Sequence, residues 1–232
     1  MLSFIVPAFN EERYVGATLA AIHAAAKEVG EPYEIVVVDD ASTDATAEVA
    51  RQGGARVIAV ERRQIAAVRN AGAHASTGDI LFFVDADTLV NAPVIAEALA
   101  ALRAGAVGGG SPVRFDRNTW WTHVILTLLL PIFRWMRWAA GCFVFCTREG
   151  FELSGGFDER FYAGEEIFFS QALKRHGRFV VVRSCVTSSA RKLDHFSLPK
   201  TLWLLGRLAL SGGRDLTRRG ESVASFWYSD KR

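Results

Sequence analysis

The sequence predicts an α/β protein: a mostly parallel sheet flanked by helices, with an appended C-terminal helical portion. Three observations carry this. Short apolar, β-branched runs alternate with segments whose apolar residues recur at helical spacing. Acidic and polar clusters sit where those runs end. Half of the 232 residues are hydrophobic and 22% are charged, enough apolar material for one sizeable core. No Pro/Ser/Gly-rich or like-charged linker divides the chain, so residues 1–232 are expected to form a single domain, 1–115 its nucleotide-binding half and 116–232 its acceptor half.

Leu2 to Ala8 is a short apolar, partly β-branched run closed by a proline, Pro7, and an asparagine, Asn10, and reads as a buried strand. A helix beginning at Asn10, Glu11 and Glu12 follows, with Val15, Leu19 and Ile22 on its apolar face. Glu34 to Val38 is a second strand, then comes a helix capped by Ser42 or Thr43 and running through Ala50. Arg56 to Val60 is the third strand, Ile65 to Ala75 a helix, and Asp79 to Val84 the fourth strand. Ala92 to Arg103 is helical, and Ala106 to Phe115 is a Gly-rich segment followed by a strand. Gly141 to Cys146 and Phe179 to Val182 are the remaining strands, the latter the last; Thr147 to Leu153, Glu165 to His176 and Thr201 to Leu210 are helical.

In open α/β sheets the ligand crevice lies at the carboxyl ends of the strands, so Pro7 to Asn10, Asp39-Asp40 and Asp85 to Asp87 are expected to converge. Asp85-Ala86-Asp87 follows a buried run, where two carboxylates need a counter-charge. A divalent cation with diphosphate oxygens supplies one, against the plainer alternative of a solvated acidic turn. Asp39 and Asp40 either accept a base ring N–H and ribose hydroxyls or cap the next helix. Glu165-Glu166, on its own, reads as acids favoured at a helix N-terminus.

The net charge of +2 argues against a nucleic-acid partner. Three cysteines, Cys142, Cys146 and Cys185, lack the spacing of a zinc site and are expected to be reduced thiols of the core. The N-terminus has no basic leader, which predicts a cytosolic location. Between Arg117 and Arg134 lie sixteen residues without a fixed charge, short of the roughly 20 a membrane span needs. Pro131 interrupts them, and Trp120, Trp121, Trp135 and Trp138 lie at their ends. Two readings stand side by side: a helix lying at the inner membrane surface or closing an acceptor groove, and a core helix covering the sheet edge. The apolar-basic stretch from Leu198 to Arg214 favours peripheral membrane contact.

Four segments, VPAFNEE (Val6 to Glu12), VVDDASTD (Val37 to Asp44), RNAGAHASTGDILFFVDAD (Arg69 to Asp87) and GGFDERFYAGEEIFF (Gly155 to Phe169), occur in the order found in a known family. In them the chain resembles the family-two inverting glycosyltransferases of GT-A fold. The resemblance implies that Pro7, Ala8, Asn10 and Glu12 line a nucleotide pocket, that Asp40 contacts the base with Asp39 beside it, and that Arg69, preceding an Asn70-Ala71-Gly72 turn, approaches the donor. It implies that Asp87 ligates Mn2+ or Mg2+ while Asp85, next to Ala86, holds the ribose or a metal-bound water. It places the general base at Glu165-Glu166, where this chain departs from the commoner Glu-Asp pairing, and Glu166 is preferred. Arg191 or Lys192 would bind the diphosphate and His195 would complete the metal shell. The expected reaction is transfer of a sugar from a nucleotide-diphosphate sugar, uridine the favoured base, to an unidentified, lipid-linked or amphipathic acceptor. Two rivals are a nucleotidyltransferase, which would want a basic Gly-rich loop where this chain has Phe9-Asn10-Glu11-Glu12, and a non-catalytic sugar-nucleotide-binding protein.

Overall fold

A computed structural model describes residues 1–116, 141–162 and 164–191. The expectations placed on the apolar segment after Arg117, on Lys192 and His195, and on the helices around Leu198 to Arg214 therefore lie outside the described residues.

A central sheet is ordered β3-β2-β1-β4-β8-β6-β9, where β1 is Leu2–Ala8, β2 Tyr33–Asp40, β3 Arg56–Val60, β4 Ile80–Val84, β6 Ala106–Gly110, β8 Phe143–Thr147 and β9 Arg178–Val181. A small second sheet joins β5 (Thr88–Leu89), β10 (Val186–Ser188) and β7 (Val113–Phe115). Within the central sheet β1 to β4 run parallel, β6 pairs with β9 in parallel, and β8 runs antiparallel between β4 and β6. The expected mostly parallel sheet is thus present, and its four N-terminal strands lie as the alternation of patterns predicts.

The centre of the sheet is buried on both faces because its runs Phe4 to Ala8, Ile35 to Val38, Leu81 to Val84 and Phe143 to Cys146 are apolar at every position. Phe4, Val6, Val37, Phe82 and Phe143 face α1 (Val15–Val29) and α4 (Ala92–Arg103). Ile5, Val36, Val38, Leu81 and Phe83 face α3 (Ile65–Ala75), α5 (Arg148–Ser154) and α6 (Glu165–Lys174). Continuous apolar runs are what doubly covered parallel strands require. α3 lies so close to the sheet that a Cβ on Gly72 would stand 2.4 Å from Ile5 Cγ2 and 2.8 Å from Val38 Cγ2.

Several boundaries differ from expectation, each for a local reason. α1 begins at Val15, not Asn10, because Asn10 adopts a left-handed backbone (φ 55°) and Glu12 is used in side-chain bonding to the next loop. Helix α2 (Thr46–Gln52) has Ala45 at its N-cap position; Ser42 and Thr43 instead bond to Asn10. The Gly-rich segment is itself strand β6, bare because a Cβ on Gly109 would meet Val180 O at 2.1 Å and the Phe145 ring at 2.4 Å. Asn70-Ala71-Gly72 is the middle of α3 and not a turn. β9 is not the last strand, since Thr187 and Ser188 belong to β10. Among the described residues no helix is long and apolar enough to cross a membrane.

At the amino ends of the strands, Glu34 ties three elements together. Its Oε1 accepts from the Ser3 hydroxyl (2.8 Å), the Thr77 N–H (2.5 Å) and the Thr77 hydroxyl (2.9 Å), and its Oε2 from Arg56 (3.1 Å). Burial opposes its ionisation, but the Thr77, Ser3 and Arg56 bonds outweigh burial and hold its pKa at about 2. A depressed carboxylate contributes stability above its unfolded pKa and loses it as pH falls through the folded one. Glu34→Gln is therefore expected to destabilise the fold by about 2 kcal/mol near pH 7, a Tm loss of about 4–8 °C. The deficit should shrink toward zero as melts are repeated down to pH 2; an equal loss at all pH would contradict this account.

Candidate functional site

The three non-glycine residues with positive φ among the described residues, Asn10 (55°), Ala41 (56°) and Arg63 (50°), stand just past the carboxyl ends of β1, β2 and β3. Left-handed backbone at a residue with a Cβ is unfavourable and clusters at functional sites. Here it lets the chain turn sharply off each strand, so that the loops meet above the sheet.

The first two loops are laced together. Asn10 N–H donates to Ser42 Oγ (3.0 Å), Thr43 N–H to Asn10 Oδ1 (2.8 Å), Glu11 N–H to Thr46 Oγ1 (2.7 Å) and Ala45 N–H to Glu12 Oε2 (3.0 Å). Asn10 and Glu12 thus tie the loop after β1 to the loop after β2, while Pro7 and Ala8 are buried in β1.

Ala8 pairs with Asp39, and the two acids that end β2 point to opposite faces. Asp40 Oδ1 accepts the backbone N–H groups of Arg62 (2.6 Å) and Arg63 (3.2 Å), fixing a loop in which the Arg63 guanidinium stacks 4.2 Å over the Phe9 ring. Asp39 is 8% exposed, and its Oδ1 has no hydrogen-bond partner among the described residues. A buried acceptor without a donor is costly. Sequence reasoning gave the leading role to Asp40, but the open acceptor belongs to Asp39.

Asp85, Ala86 and Asp87 follow β4. Backbone bonds set them firmly: Asp85 N–H to Cys142 O (3.1 Å), Thr18 Oγ1 to Ala86 O (2.8 Å) and Ser189 N–H to Asp87 O (3.2 Å). The two carboxylates then meet different arginines. Arg69, with 2% of its side chain exposed, donates from Nη2 to Asp85 Oδ1 (2.9 Å) and Gly141 O (2.8 Å), and from Nη1 to Glu165 Oε1 (2.6 Å). Arg191 donates to Asp87 Oδ2 from Nε (3.1 Å) and to Glu11 Oε2 from Nη2 (2.6 Å), with its guanidinium 4.4 Å over the Tyr14 ring. Glu11 and Tyr14 were absent from the residues singled out by sequence, although Glu11 lies within the NEE motif that could have identified it.

Glu165 and Glu166 open α6, and only Glu165 is paired with Arg69. Glu166 lies against the Gly141 backbone; a Cβ there would sit 3.1 Å from its carboxyl carbon. Burial first, then the Glu165 charge, raise the Glu166 pKa to about 8, with Arg69 pulling the other way. Asn70 secures the segment before α6, donating to Phe157 O (2.8 Å) and accepting from Phe157 N–H (2.9 Å). A separate cleft of about 540 Å³ lies between α5 and α6, lined by Phe157, Arg160, Phe161, Phe168 and Arg175 among others, and contains none of the strand-tip acids.

Among the described residues no three His, Cys, Asp or Glu side chains group closely enough to cage an ion. A divalent cation here would take one or two carboxylates and draw its other ligands from phosphate and water, as Mg2+ commonly does. The donor set fits: Glu11 and Asp87, with 6% and 2% of their side chains exposed, already converge on one positive charge, that of Arg191.

The chain is similar to known proteins in sequence and in fold. The model for "Glycosyl transferase family 2" matches residues 3–158. An undecaprenyl-phosphate 4-deoxy-4-formamido-L-arabinose transferase of Serratia proteamaculans is 33% identical over 132 residues, 52% of this chain and 39% of that protein. An uncharacterized glycosyltransferase of Mycobacterium tuberculosis is 36% identical over 105 residues, 45% of each. The match thus spans less than half the length of these curated relatives. Among solved structures, a mannosyltransferase from Pyrobaculum calidifontis in complex with GDP-Man and Mn2+ superposes with a TM-score of 0.66 at 23% identity, covering 82% of this chain and 56% of that one. Glucosyl-3-phosphoglycerate synthase from Mycobacterium tuberculosis, in complex with Mn2+, UDP and glucosyl-3-phosphoglycerate, gives 0.62 at 20% identity, covering 91% and 77%. At such identities the likeness is one of fold.

Proposed function

Because the chain belongs to glycosyl transferase family 2, we propose that it is a metal-assisted, inverting transferase that moves a sugar from a nucleotide-diphosphate sugar, UDP-linked by preference, to a hydroxyl on an amphipathic or lipid-linked acceptor. The observation that carries the reading is that Asp85 and Asp87, at the tip of β4, each hold a buried or partly buried arginine, Arg69 joining Asp85 to Glu165 and Arg191 joining Asp87 to Glu11, with Asp39 at the tip of β2.

Asp39 is the acceptor for a base ring N–H, and the Asp40-anchored loop carries Arg63 and Phe9 beside it. Asp87 is the protein ligand to Mn2+ or Mg2+. Asp85, held by Arg69, orients the ribose or a metal-bound water. A bound divalent cation supplies neutralisation of the charge that grows on the leaving diphosphate. Arg191 adds a second positive charge to that end of the site.

Glu166 is the base. Glu165 is spent on Arg69 at 2.6 Å, whereas Glu166 makes no ion pair among the described residues, and burial and the Glu165 charge raise its proton affinity. In the transfer, the acceptor oxygen bonds to the anomeric carbon from the face opposite the diphosphate. The bond from that carbon to the diphosphate oxygen breaks with its electron pair, and the acceptor proton passes to Glu166. The name of the Serratia relative includes undecaprenyl phosphate, which supports a lipid-linked acceptor; the acidic Glu11-Glu12 turn disfavours a triphosphate-using nucleotidyltransferase.

Thermal melts test the donor reading. UDP with Mn2+ at about 100 times its Kd should add about 2.7 kcal/mol of stability, and either component alone much less. No shift with UDP, GDP or their sugar conjugates, with either ion, would remove the proposal.

A further inference from the structure

We propose that Arg191 is the internal counter-ion of the donor site: without ligand its guanidinium holds the cation position between Glu11 and Asp87, so that divalent ion and nucleotide diphosphate each favour the binding of the other. This rests on the donor reading above and goes beyond it by assigning the coupling between the two ligands to one side chain.

The contacts are unequal in a way that fits exchange. Arg191 is held to the start of α1 by both Glu11 oxygens, Oε2 at 2.6 Å, and by the Tyr14 ring at 4.4 Å. Asp87 receives it through a single oxygen, Oδ2, at 3.0 Å from Nη2 and 3.1 Å from Nε. The backbone at this point is fixed independently, by Ser189 N–H on Asp87 O (3.2 Å) and Ala190 N–H on Asp116 Oδ1 (2.8 Å). A side-chain movement alone can therefore free Asp87 while Glu11 and Tyr14 keep the guanidinium nearby.

Charge makes the exchange cooperative. Glu11 and Asp87 are almost fully buried, and buried carboxylates require a cation, which Arg191 provides. An ion arriving alone must take Asp87 from Arg191 and then stand beside a second positive charge with nothing between them. A diphosphate arriving alone faces Asp87 and Glu11. When both arrive, the phosphate oxygens lie between ion and guanidinium, and each ligand relieves the repulsion met by the other.

Calorimetric titration of the full chain with Mn2+ alone, UDP alone and the two together, with GDP run in parallel, tests this on the wild type, Arg191→Gln and Arg191→Lys. In the wild type each ligand should tighten the other by about ten-fold or more. Arg191→Gln should bind Mn2+ alone about ten-fold tighter and UDP in saturating Mn2+ about ten-fold weaker, opposite signs that loss of folding cannot mimic. Arg191→Lys keeps the charge and should move both affinities the same way by less. Unchanged or weakened Mn2+ binding in Arg191→Gln, with nucleotide binding intact, overturns the counter-ion role and leaves the donor reading standing. Wild-type protein that takes up neither nucleotide with Mn2+ overturns both.

Discussion

Glu166→Gln should abolish most transfer while leaving a protein that melts higher than the wild type in alkaline solution. Loss of a positioned general base costs about 10²–10⁴ in rate, so kcat should fall by that factor against a hydroxyl acceptor with donor affinity unchanged. An acceptor that offers an already ionised phosphate oxygen needs no base, and against it the substitution should cost little. The same variant thereby distinguishes the two acceptor chemistries. In the wild type, burial and the Glu165 charge raise the Glu166 pKa to about 8, so kcat/KM should climb with pH toward that value and not level off in the ordinary carboxylate range.

The stability effect has a definite sign. Between its ordinary value of 4.5 and about 8, the folded protein holds a proton on Glu166 that the unfolded chain has lost, so stability falls as pH rises through that window. Glutamine removes the penalty: the Tm gain should be absent near pH 4.5 and largest above pH 8. A gain of about 1–3 kcal/mol allows for partial solvent screening of a half-buried group. Glu165→Gln should behave differently, because its partner Arg69 remains buried and loses half of its charge compensation. Wild-type turnover of a hydroxyl acceptor in Glu166→Gln would move the base elsewhere.

The parallel core was legible because β1, β2 and β4 carry continuous apolar runs, Phe4 to Ala8, Ile35 to Val38 and Ile80 to Val84, a pattern that doubly covered strands need. With their direction set, topology alone brings Asp39, Asp85 and Asp87 to one edge. Tertiary constraints hid the rest. Gly108 to Gly110 looks like a loop in sequence, yet forms β6 because the Phe145 ring and the Val180 carbonyl occupy the space a side chain would fill. β5 and β10 are two and three residues long and pair across about 100 positions, so no local periodicity marks them. Which member of an acid pair is tied to the backbone was not legible either: Asp39 and Asp40 are chemically alike, and only the Arg62 and Arg63 amides, supplied by the next loop, distinguish them. Glu165 and Glu166 are separated in the same way by Arg69, a residue 96 positions earlier than the glutamate it binds.

Arg69→Ala is expected to be the most damaging single substitution among the described residues of the site. Arg69 joins the end of β4, through Asp85, to the start of α6, through Glu165, and to the Gly141 carbonyl ahead of β8. Burial opposes its charge, but the Asp85 and Glu165 carboxylates more than restore it, so it stays protonated at every usable pH. Such a triad adds little net stability when intact, since each charge has left water. Removing its one cation takes the counter-charge from buried Glu165 and partly buried Asp85 and should cost about 3–5 kcal/mol, a Tm loss of about 6–20 °C. The stranded acids can escape by taking up protons, so the deficit should narrow as pH falls below neutrality. Arg69→Met combined with Glu165→Met and Asp85→Asn, which removes all three charges, should melt well above Arg69→Ala and close to the wild type while showing no transfer. If Arg69→Ala instead melts with the wild type, the bridge contributes nothing to holding α6 against β4, and the placement of Glu166 beside Asp85 must come from apolar packing of Phe157 and Phe169 alone.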